Sequence, residues 1–201
     1  MSNNDISDSA IVLNSKVGHH CMIADGTRFC YSELGDYSYV SRNSNIFSTQ
    51  IGKFTSISWN VSIGPANHDY KKLCCHPILF ASRFGMIDKG DEFYNQYDGR
   101  ITVGNDVWIG CNATIIRKPE GITIGDGAII EANAIITQNV PPYAIIVGVN
   151  KLLKYRFSKE IIKELLELEW WNLPYETIKT NISLLAQNPS LDIIKTLKTL
   201  K

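Results

Sequence analysis

Residues 101–115 read ITVGNDVWIGCNATI, and this stretch carries an aliphatic residue at every sixth position. The same period extends in both directions, with a five-residue step in the first half and a three-residue insertion around 118–120 in the second. Its members form two blocks: Leu34, Val40, Ile46, Ile51, Ile57 and Ile63, then Val103, Ile109, Ile115, Ile124, Ile130 and Ile136. A period of six fits neither an α-helix nor an ordinary strand, so the repeat itself predicts the fold.

The residues around each aliphatic position indicate how the chain turns. Gly or Ser often follows directly, as at Gly52 and Gly110, and the fourth position after it is often small or β-branched, as at Thr55 and Ala113. This pattern is typical of an all-β triangular solenoid, in which each short face supplies one inward aliphatic side chain and each corner uses permissive backbone. We expect roughly five or six parallel coils, with residues about 18 apart aligned in the core. The spacing alone leaves the hand of the coil open.

The repeat is interrupted once and then ends. Between His68 and Arg100 a long segment rich in aromatic residues replaces it, and a loop of this length in a compact domain is usually functional or disordered. After Val147 the spacing becomes helical, with Ser158 as a predicted N-cap, Pro174 in the first turn of a second helix and a third helix over 191–200. We predict a β-helix domain over 1–150 with a loop insertion at 69–100, and a helical extension over 151–201.

Composition limits the possible functions. Lys and Arg total 20, as do Asp and Glu, so no net charge attracts nucleic acid. The first ten residues lack an apolar stretch and no run approaches the length of a membrane span, so we expect a cytoplasmic protein. The five cysteines include no C-x-x-C pair, which favours reduced structural thiols over a metal site. Motifs of serine hydrolases, kinases and dinucleotide-binding enzymes are missing from the sequence.

Segments of the chain, taken in order, resemble one enzyme family. They are IGPANH at 63–68, ITVGNDVWIG at 101–110, KYRF at 154–157 and EWW at 169–171. In this order they are similar to the xenobiotic acetyltransferase branch of the hexapeptide-repeat acyltransferases, over most of residues 30–175. The resemblance implies a left-handed parallel β-helix, direct acetyl transfer from acetyl-CoA without an acyl-enzyme, and a homotrimer with active sites between subunits.

The resemblance places the catalytic base on His68, since the loop histidine has that role in the family. An imidazole with an ordinary pKa of about 6.5 suits proton removal near neutral pH. His76 is the second candidate, although a His-Pro pair also fits a structural turn. A covalent route through Cys74 or Cys75 has only the nearby His76 in its favour. The predicted contacts to the acceptor are Asn67, Tyr70, His76 and Phe80.

The same resemblance places coenzyme A along the solenoid between neighbouring subunits. Basic residues after the last coil are expected to meet its phosphates, and Gly110 lies where backbone N–H groups can approach a developing oxyanion. Relatives usually have one more residue before the first basic position than the Gly148-Val149-Asn150 segment supplies here. The predicted contacts to the cosubstrate are Trp108, Gly110, Cys111, Ala132, Thr137, Lys151, Lys154 and Arg156.

The sequence is compatible with three functions. The leading one is acetylation of a sugar hydroxyl or amine in the synthesis of a surface polysaccharide, because the HPILF stretch at 76–80 looks more like the polysaccharide relatives. The alternative is inactivation of an antibiotic of the chloramphenicol or streptogramin type. A catalytically silent trimeric binding module is the third. The residues identify neither the acceptor nor the choice between O- and N-acetylation.

Overall fold

The computed structural model describes residues 3–201, and nineteen short strands lie between residues 5 and 155. In chain order they are β1 (Asp5–Ile6), β2 (Ile11–Leu13), β3 (Lys16–Val17), β4 (Met22–Ile23), β5 (Arg28–Cys30), β6 (Glu33–Leu34), β7 (Tyr39–Val40), β8 (Asn45–Phe47), β9 (Thr49–Ile51), β10 (Ser56–Ile57), β11 (Ser62–Ile63), β12 (Ile101–Val103), β13 (Trp108–Ile109), β14 (Thr114–Ile115), β15 (Ile122–Ile124), β16 (Ile129–Ile130), β17 (Ile135–Ile136), β18 (Ala144–Val147) and β19 (Lys151–Tyr155). The helices are α1 (Lys159–Leu168), α2 (Tyr175–Thr180), α3 (Ile182–Leu185) and α4 (Leu191–Lys198).

The strands form three parallel sheets that enclose one core. Sheet A contains β1, β4, β7, β10, β13, β16 and β18, with β19 added antiparallel; sheet B contains β2, β5, β8, β11, β14 and β17; sheet C contains β3, β6, β9, β12 and β15. The chain passes from A to B to C and back, so each coil is a triangle with corners AB, BC and CA. The predicted solenoid is confirmed, and its left-handed β-helix architecture matches the prediction.

The core is built from the predicted aliphatic positions. Along sheet A, Ile23, Val40, Ile57, Ile109 and Ile130 stack in register and are fully buried. In the first coils the stacked residues are 17 apart, one fewer than the predicted spacing, because each coil contains one five-residue step such as the step from Ile46 to Ile51. Close-packed aliphatic side chains supply most of the stability of such a fold.

Polar ladders and close backbone contacts shape the corners. The hydroxyl of Thr55 donates to the carbonyl of Gly104 at 2.8 Å, and the amide of Thr55 donates to the hydroxyl of Ser38 at 2.9 Å. These bonds explain the small polar residues at the fourth repeat position, because they satisfy buried backbone groups between coils. A Cβ atom on Gly52 would lie 2.6 Å from the Gly104 oxygen, so the next coil leaves no room for a side chain.

The solenoid begins earlier than the two predicted blocks. Strands β1 to β5 form further turns of the solenoid over residues 5–30, upstream of the repeat that the sequence revealed. Their inward positions follow the same six- and five-residue steps, but Phe29 replaces an aliphatic residue and Cys30 follows it instead of Gly or Ser. Because Phe29 and Cys30 do not fit the pattern of an aliphatic residue followed by Gly or Ser, the period was not recognised in this segment.

The C-terminal helices pack against the CA corner. Residues 151–155, which were assigned to the helical extension, instead form β19 at the end of sheet A. Ser158 caps α1 as predicted, accepting a hydrogen bond from Ile161 N at 3.3 Å. Trp170 packs on Phe54 with ring centroids 4.8 Å apart, and Trp171 is buried, so both tryptophans have packing roles. Within residues 3–201, no helix combines the length and apolar composition needed to cross a bilayer.

Candidate active site

The long loop leaves the solenoid at the BC corner and returns to it without changing the register. Strand β12, after the loop, pairs with β9 below and β15 above, as if the inserted residues were absent. Beside the loop lies a cleft of about 700 Å³, whose walls include His68, Tyr70, Tyr94, Asp98, Lys118 and Thr137. The insertion therefore adds a polar cleft to a corner of an otherwise regular coil.

His68 is held in one orientation by the loop that carries it. Its Nδ1 lies 2.5 Å from the backbone carbonyl oxygen of Cys75, and its ring meets the Phe80 ring edge-on at a centroid distance of 5.5 Å. A carbonyl can only accept a hydrogen bond, so Nδ1 must carry the proton in the neutral ring. Nε2 is then the basic nitrogen, and the exposed imidazole is arranged to take a proton from a molecule in the cleft.

The other residues predicted to contact the acceptor divide into two groups. Asn67 anchors the start of the loop, since its Nδ2 donates to the Arg117 carbonyl at 2.8 Å, and Tyr70 projects from the wall with 81% of its surface exposed. Phe80 is buried and supports His68 from behind. His76 caps a 3₁₀ turn over Pro77–Leu79, its Nδ1 accepting from Ile78 N at 3.3 Å, and it packs against Phe84. The structure therefore gives Phe80 and His76 supporting positions in the loop.

Most of the predicted cosubstrate residues lie on sheet A and at the AB corner. Trp108, Ile129, Ile145 and Lys154 are neighbours in register across four strands, and 53% of the Trp108 surface is exposed. Gly110, Cys111 and Ala132 stack at the AB corner, where a Cβ on Gly110 would lie 2.5 Å from the Ala132 nitrogen. Strand β19, the last strand of sheet A, also carries Lys151, which pairs with Val147. Trp108 and the half-buried Ile129 and Ile145 thus form an outward-facing apolar row on sheet A, and β19 places basic residues at one end of it.

Two predicted cosubstrate residues lie elsewhere. Thr137 is at the BC corner, in the His68 cleft, where its hydroxyl and amide both bond to the side chain of Asn150 at 2.6 and 2.8 Å. Arg156 is at the CA corner, where its Nη1 donates to Asp106 at 3.0 Å and to the Gly127 carbonyl at 2.8 Å. Burial raises the pKa of Asp106, and the opposing charge of Arg156 counteracts part of that rise. Arg156 is therefore already committed to contacts within its own chain.

His68 and Trp108 are on opposite sides of one coil stack. In a three-sided coil each sheet lies opposite the corner between the other two, so sheet A faces away from the BC corner. A single thioester cannot touch both residues of one chain. The two groups can serve one ligand only when they come from different copies of the chain.

Comparison with known proteins identifies the family. A family model described as the hexapeptide repeat of succinyl-transferase matches residues 100–138. A chloramphenicol acetyltransferase of Morganella morganii is 36% identical over 162 residues, covering 79% of this chain and 75% of the relative. A probable macrolide acetyltransferase of Lysinibacillus sphaericus is 39% identical over 146 residues, covering 71% and 79%. The chain belongs to the hexapeptide-repeat acetyltransferases. It is therefore an acyltransferase, as the resemblance implied.

Solved structures share the fold of this hexapeptide-repeat acetyltransferase. An N-acyltransferase of Bacillus cereus, in complex with dTDP and coenzyme A, superposes with a TM-score of 0.64 at 21% identity and covers 84% of this chain and 88% of its own. A perosamine N-acetyltransferase of Caulobacter crescentus, in complex with CoA and GDP-perosamine, gives 0.53 at 15% identity, covering 78% and 58%.

One feature of this acetyltransferase was missed by sequence reasoning. Arg117 lines the floor of the His68 cleft and is only 1% exposed. Burial lowers the pKa of its guanidinium. A single arginine after a repeat position carries no signal in the sequence, because its role depends on loop backbone that only the fold brings to it. In the described part of the chain, no group of three or more His, Cys, Asp or Glu side chains is arranged to hold a metal ion.

Proposed function

We propose that this chain transfers the acetyl group of acetyl-CoA to a hydroxyl or amino group of a sugar, with His68 as the general base. The observation that carries the proposal is the hydrogen bond between His68 Nδ1 and the Cys75 carbonyl. It fixes the tautomer in which Nε2 is basic, and it does so at the wall of an open polar cleft.

The reaction follows from that tautomer. Nε2 removes the proton of the acceptor hydroxyl or amine as its oxygen or nitrogen attacks the thioester carbonyl. The tetrahedral intermediate collapses, the carbon–sulfur bond breaks, and the imidazolium returns its proton to the departing thiolate. No acyl-enzyme is needed. Cys75 contacts His68 through its backbone carbonyl oxygen. The thiol of Cys75 instead contacts the Asp69 carbonyl oxygen, at 3.9 Å, so the described contacts place no base beside the thiol.

The outward-facing row on sheet A supports a cosubstrate site. Trp108, Ile129 and Ile145 offer apolar surface to the pantetheine arm, and Lys151 and Lys154 offer positive charge to the phosphates. Since this row lies opposite the BC corner of the same chain, we place it against the His68 cleft of a neighbouring copy. A homotrimer gives each of three copies both halves of a site.

The walls of the cleft favour a hydroxylated acceptor. Charged and hydrogen-bonding side chains from both sides of the loop, such as Asp69, Lys71, Asp98 and Glu120, line it. Such groups match the many hydroxyls of a sugar better than a flat apolar molecule. The perosamine N-acetyltransferase named above is in complex with GDP-perosamine, which is a hydroxylated molecule of this kind.

Antibiotic acetylation is the second candidate function, and the sequence relatives favour it. Chloramphenicol and macrolide acetyltransferases are 36% and 39% identical to this chain over more than two thirds of it. A galactoside O-acetyltransferase of Escherichia coli is 32% identical over 66% of the chain, so relatives with sugar acceptors are also found. The cleft geometry, rather than the relatives, decides our preference.

A thiol-release assay with acetyl-CoA tests the proposal. The acceptors would be amino sugars, nucleotide sugars, chloramphenicol, a macrolide and a streptogramin, and the variants would be His68→Gln and the matched control His19→Gln at an exposed corner position. We expect turnover on a sugar that falls about 10²- to 10⁴-fold in His68→Gln and is unchanged in His19→Gln.

The other outcomes of the assay would change the assigned function or the role of His68. Turnover only on an antibiotic would select the second function, and equal turnover in His68→Gln would remove His68 from the role of base. Silence on every acceptor would favour a binding module without catalysis. Light scattering at micromolar concentration tests the shared site separately, since a monomer would contradict it.

A further inference from the structure

Arg117 connects both ends of the long loop to the solenoid. Its Nη2 donates to the Phe47 carbonyl at 2.6 Å and to the Gly64 carbonyl at 3.2 Å, and its Nη1 donates to the carbonyls of Tyr97, at 3.2 Å, and Gly99. Gly64 directly follows β11, where the chain leaves the solenoid, and Tyr97 and Gly99 lie just before β12, where it returns. One guanidinium therefore links the first and last residues of the loop to each other and to Phe47 in β8 of the preceding coil.

The two glycines at the loop ends are fitted to this arrangement. Gly64 has φ +73°, and a Cβ there would lie 2.5 Å from Nη2 of Arg117. Gly99 has φ +81°, and a Cβ there would lie 1.7 Å from the carbonyl oxygen of Lys118, the next residue after Arg117. Both positions combine a backbone conformation that favours glycine with a lack of space for any side chain. The loop ends close around Arg117.

The same residue reaches the segment that carries His68. The carbonyl oxygen of Arg117 accepts the side-chain amide of Asn67 at 2.8 Å, and Asn67 N donates to the Gln96 carbonyl at 2.9 Å. Asn67 is the neighbour of His68 in the chain. The backbone carbonyls of Arg117 and Gln96 thus hold Asn67 on the amino-terminal side of the imidazole, and the Cys75 carbonyl fixes its ring. The guanidinium of Arg117 acts on the same segment by holding the loop ends at Gly64 and Tyr97.

Burying the charged guanidinium of Arg117 is unfavourable for the free energy of folding. The ion pairs among residues 3–201 do not include Arg117, whose partners are backbone carbonyls, and its Nε is buried without a hydrogen-bond partner. Desolvation of such a charge opposes folding. Four carbonyls converging on one planar group offset that cost and define a single geometry.

We infer that Arg117 is a positioning residue for catalysis, which holds His68 at the distance that proton transfer requires. The inference rests on the proposed role of His68. Arg117 itself touches backbone of the enzyme and acts on the reaction through the loop. Misplacing a catalytic group by about 1 Å costs about 100-fold in rate, which sets the size of the expected effect.

The test compares Arg117→Met and Arg117→Lys with the control Arg100→Met. Arg100 is adjacent to the same loop, but its guanidinium bonds at 3.2 Å to the exposed side chain of Glu33. We expect kcat to fall about 100-fold in Arg117→Met, with the KM for acetyl-CoA within about twofold of wild type, because the proposed cosubstrate row lies on sheet A. Arg117→Lys keeps the charge and part of the bonding, so it should recover part of the rate.

Hydrogen–deuterium exchange on the folded variants provides a readout that does not depend on turnover. Residues 65–99 should exchange faster in Arg117→Met and as in wild type in Arg100→Met, with the amides of the coils unchanged. A lowered unfolding midpoint with unchanged kcat and unchanged loop exchange would overturn the inference, as would an equal loss of kcat in Arg100→Met. If wild type acetylates no acceptor, the proposed function fails, and loop exchange alone decides whether Arg117 orders the loop.

Discussion

Replacing Arg156 separates a structural role from a role in binding the cosubstrate. The sequence placed Arg156 with Lys151 and Lys154 as contacts to the phosphates of coenzyme A. In the structure Arg156 binds Asp106 and the Gly127 carbonyl, and its guanidinium lies 5.4 Å from the Tyr143 ring centre and 5.0 Å from that of Phe157. We therefore predict that Arg156→Met lowers stability, while Lys154→Met raises the KM for acetyl-CoA.

The magnitude follows from the contacts that each variant removes. Arg156→Met loses the hydrogen bond to the Asp106 carboxylate, worth about 1.5–3 kcal/mol, the hydrogen bond to the Gly127 carbonyl, worth about 1 kcal/mol, and two cation–π contacts worth about 0.5–1 kcal/mol each, and partial exposure of the ion pair reduces the sum. Methionine keeps part of the apolar packing, so we expect a loss of about 3 kcal/mol in the free energy of unfolding. In a chain of this size that loss lowers Tm by about 6–12 °C. Lys154→Met removes an exposed charge, which corresponds to about 1 kcal/mol or about a fivefold rise in KM.

Thermal unfolding followed by circular dichroism measures the first effect, and thiol release at varied acetyl-CoA measures the second. Lys154→Met should unfold within about 2 °C of wild type, since its side chain is exposed on an edge strand. The reasoning would be refuted by an Arg156→Met variant that unfolds like wild type but requires about tenfold more acetyl-CoA. That result would return Arg156 to the phosphates.

Further predictions concern the core and one buried hydroxyl. The Tyr143 hydroxyl is buried without a partner among residues 3–201, so Tyr143→Phe should raise the free energy of unfolding by about 1 kcal/mol in urea titrations. Burial also raises the pKa of Tyr143 above its ordinary value of 10.0. As pH rises above that value, the unfolded chain loses this proton while the folded chain keeps it, so the free energy of unfolding of the wild type falls. Tyr143→Phe lacks this proton and should show a shallower fall. Ile109→Ala, at a fully buried position, should cost about 2–5 kcal/mol, whereas Ile135→Ala, 37% exposed, should cost about 1 kcal/mol or less in the same titrations. Gly52→Ala should yield no folded protein by circular dichroism, because its methyl group would meet the Gly104 backbone at 2.6 Å; a stable variant would contradict the stacked-corner geometry.

The fold could be predicted because its signal is periodic. Each coil must place one aliphatic side chain inward from each face, so the requirement recurs along the sequence at steps of six and five. The prediction did not reach residues 5–30, where Phe29 fills an inward position and the following Cys30 is not the expected Gly or Ser. Both side chains fit the core, and a search for aliphatic residues followed by Gly or Ser overlooks them.

The candidate site could be predicted only in part. His68 was located from a family motif, and its tautomer became clear only when the structure placed the Cys75 carbonyl beside Nδ1. Arg117 could not be found, because its partners come from the chain 70 and 53 residues earlier, at Phe47 and Gly64, and from the end of the loop. Arg156 was assigned to the phosphates from its place after the last coil, although the fold pairs it with Asp106.

The position of the loop explains how this fold combines a fixed scaffold with a variable site. Strand β12 pairs with β9 and β15 in the same register that neighbouring coils use, so the coil tolerates the inserted residues without rearrangement. The insertion can therefore change in length and composition while the core stays the same. Because Arg117 and the glycines at 64 and 99 hold only its two ends, the residues between them are free of the constraints of the repeat. Differences in acceptor between relatives should accordingly reside in residues 69–98, and the features that hold the loop should be common to relatives that share the arginine.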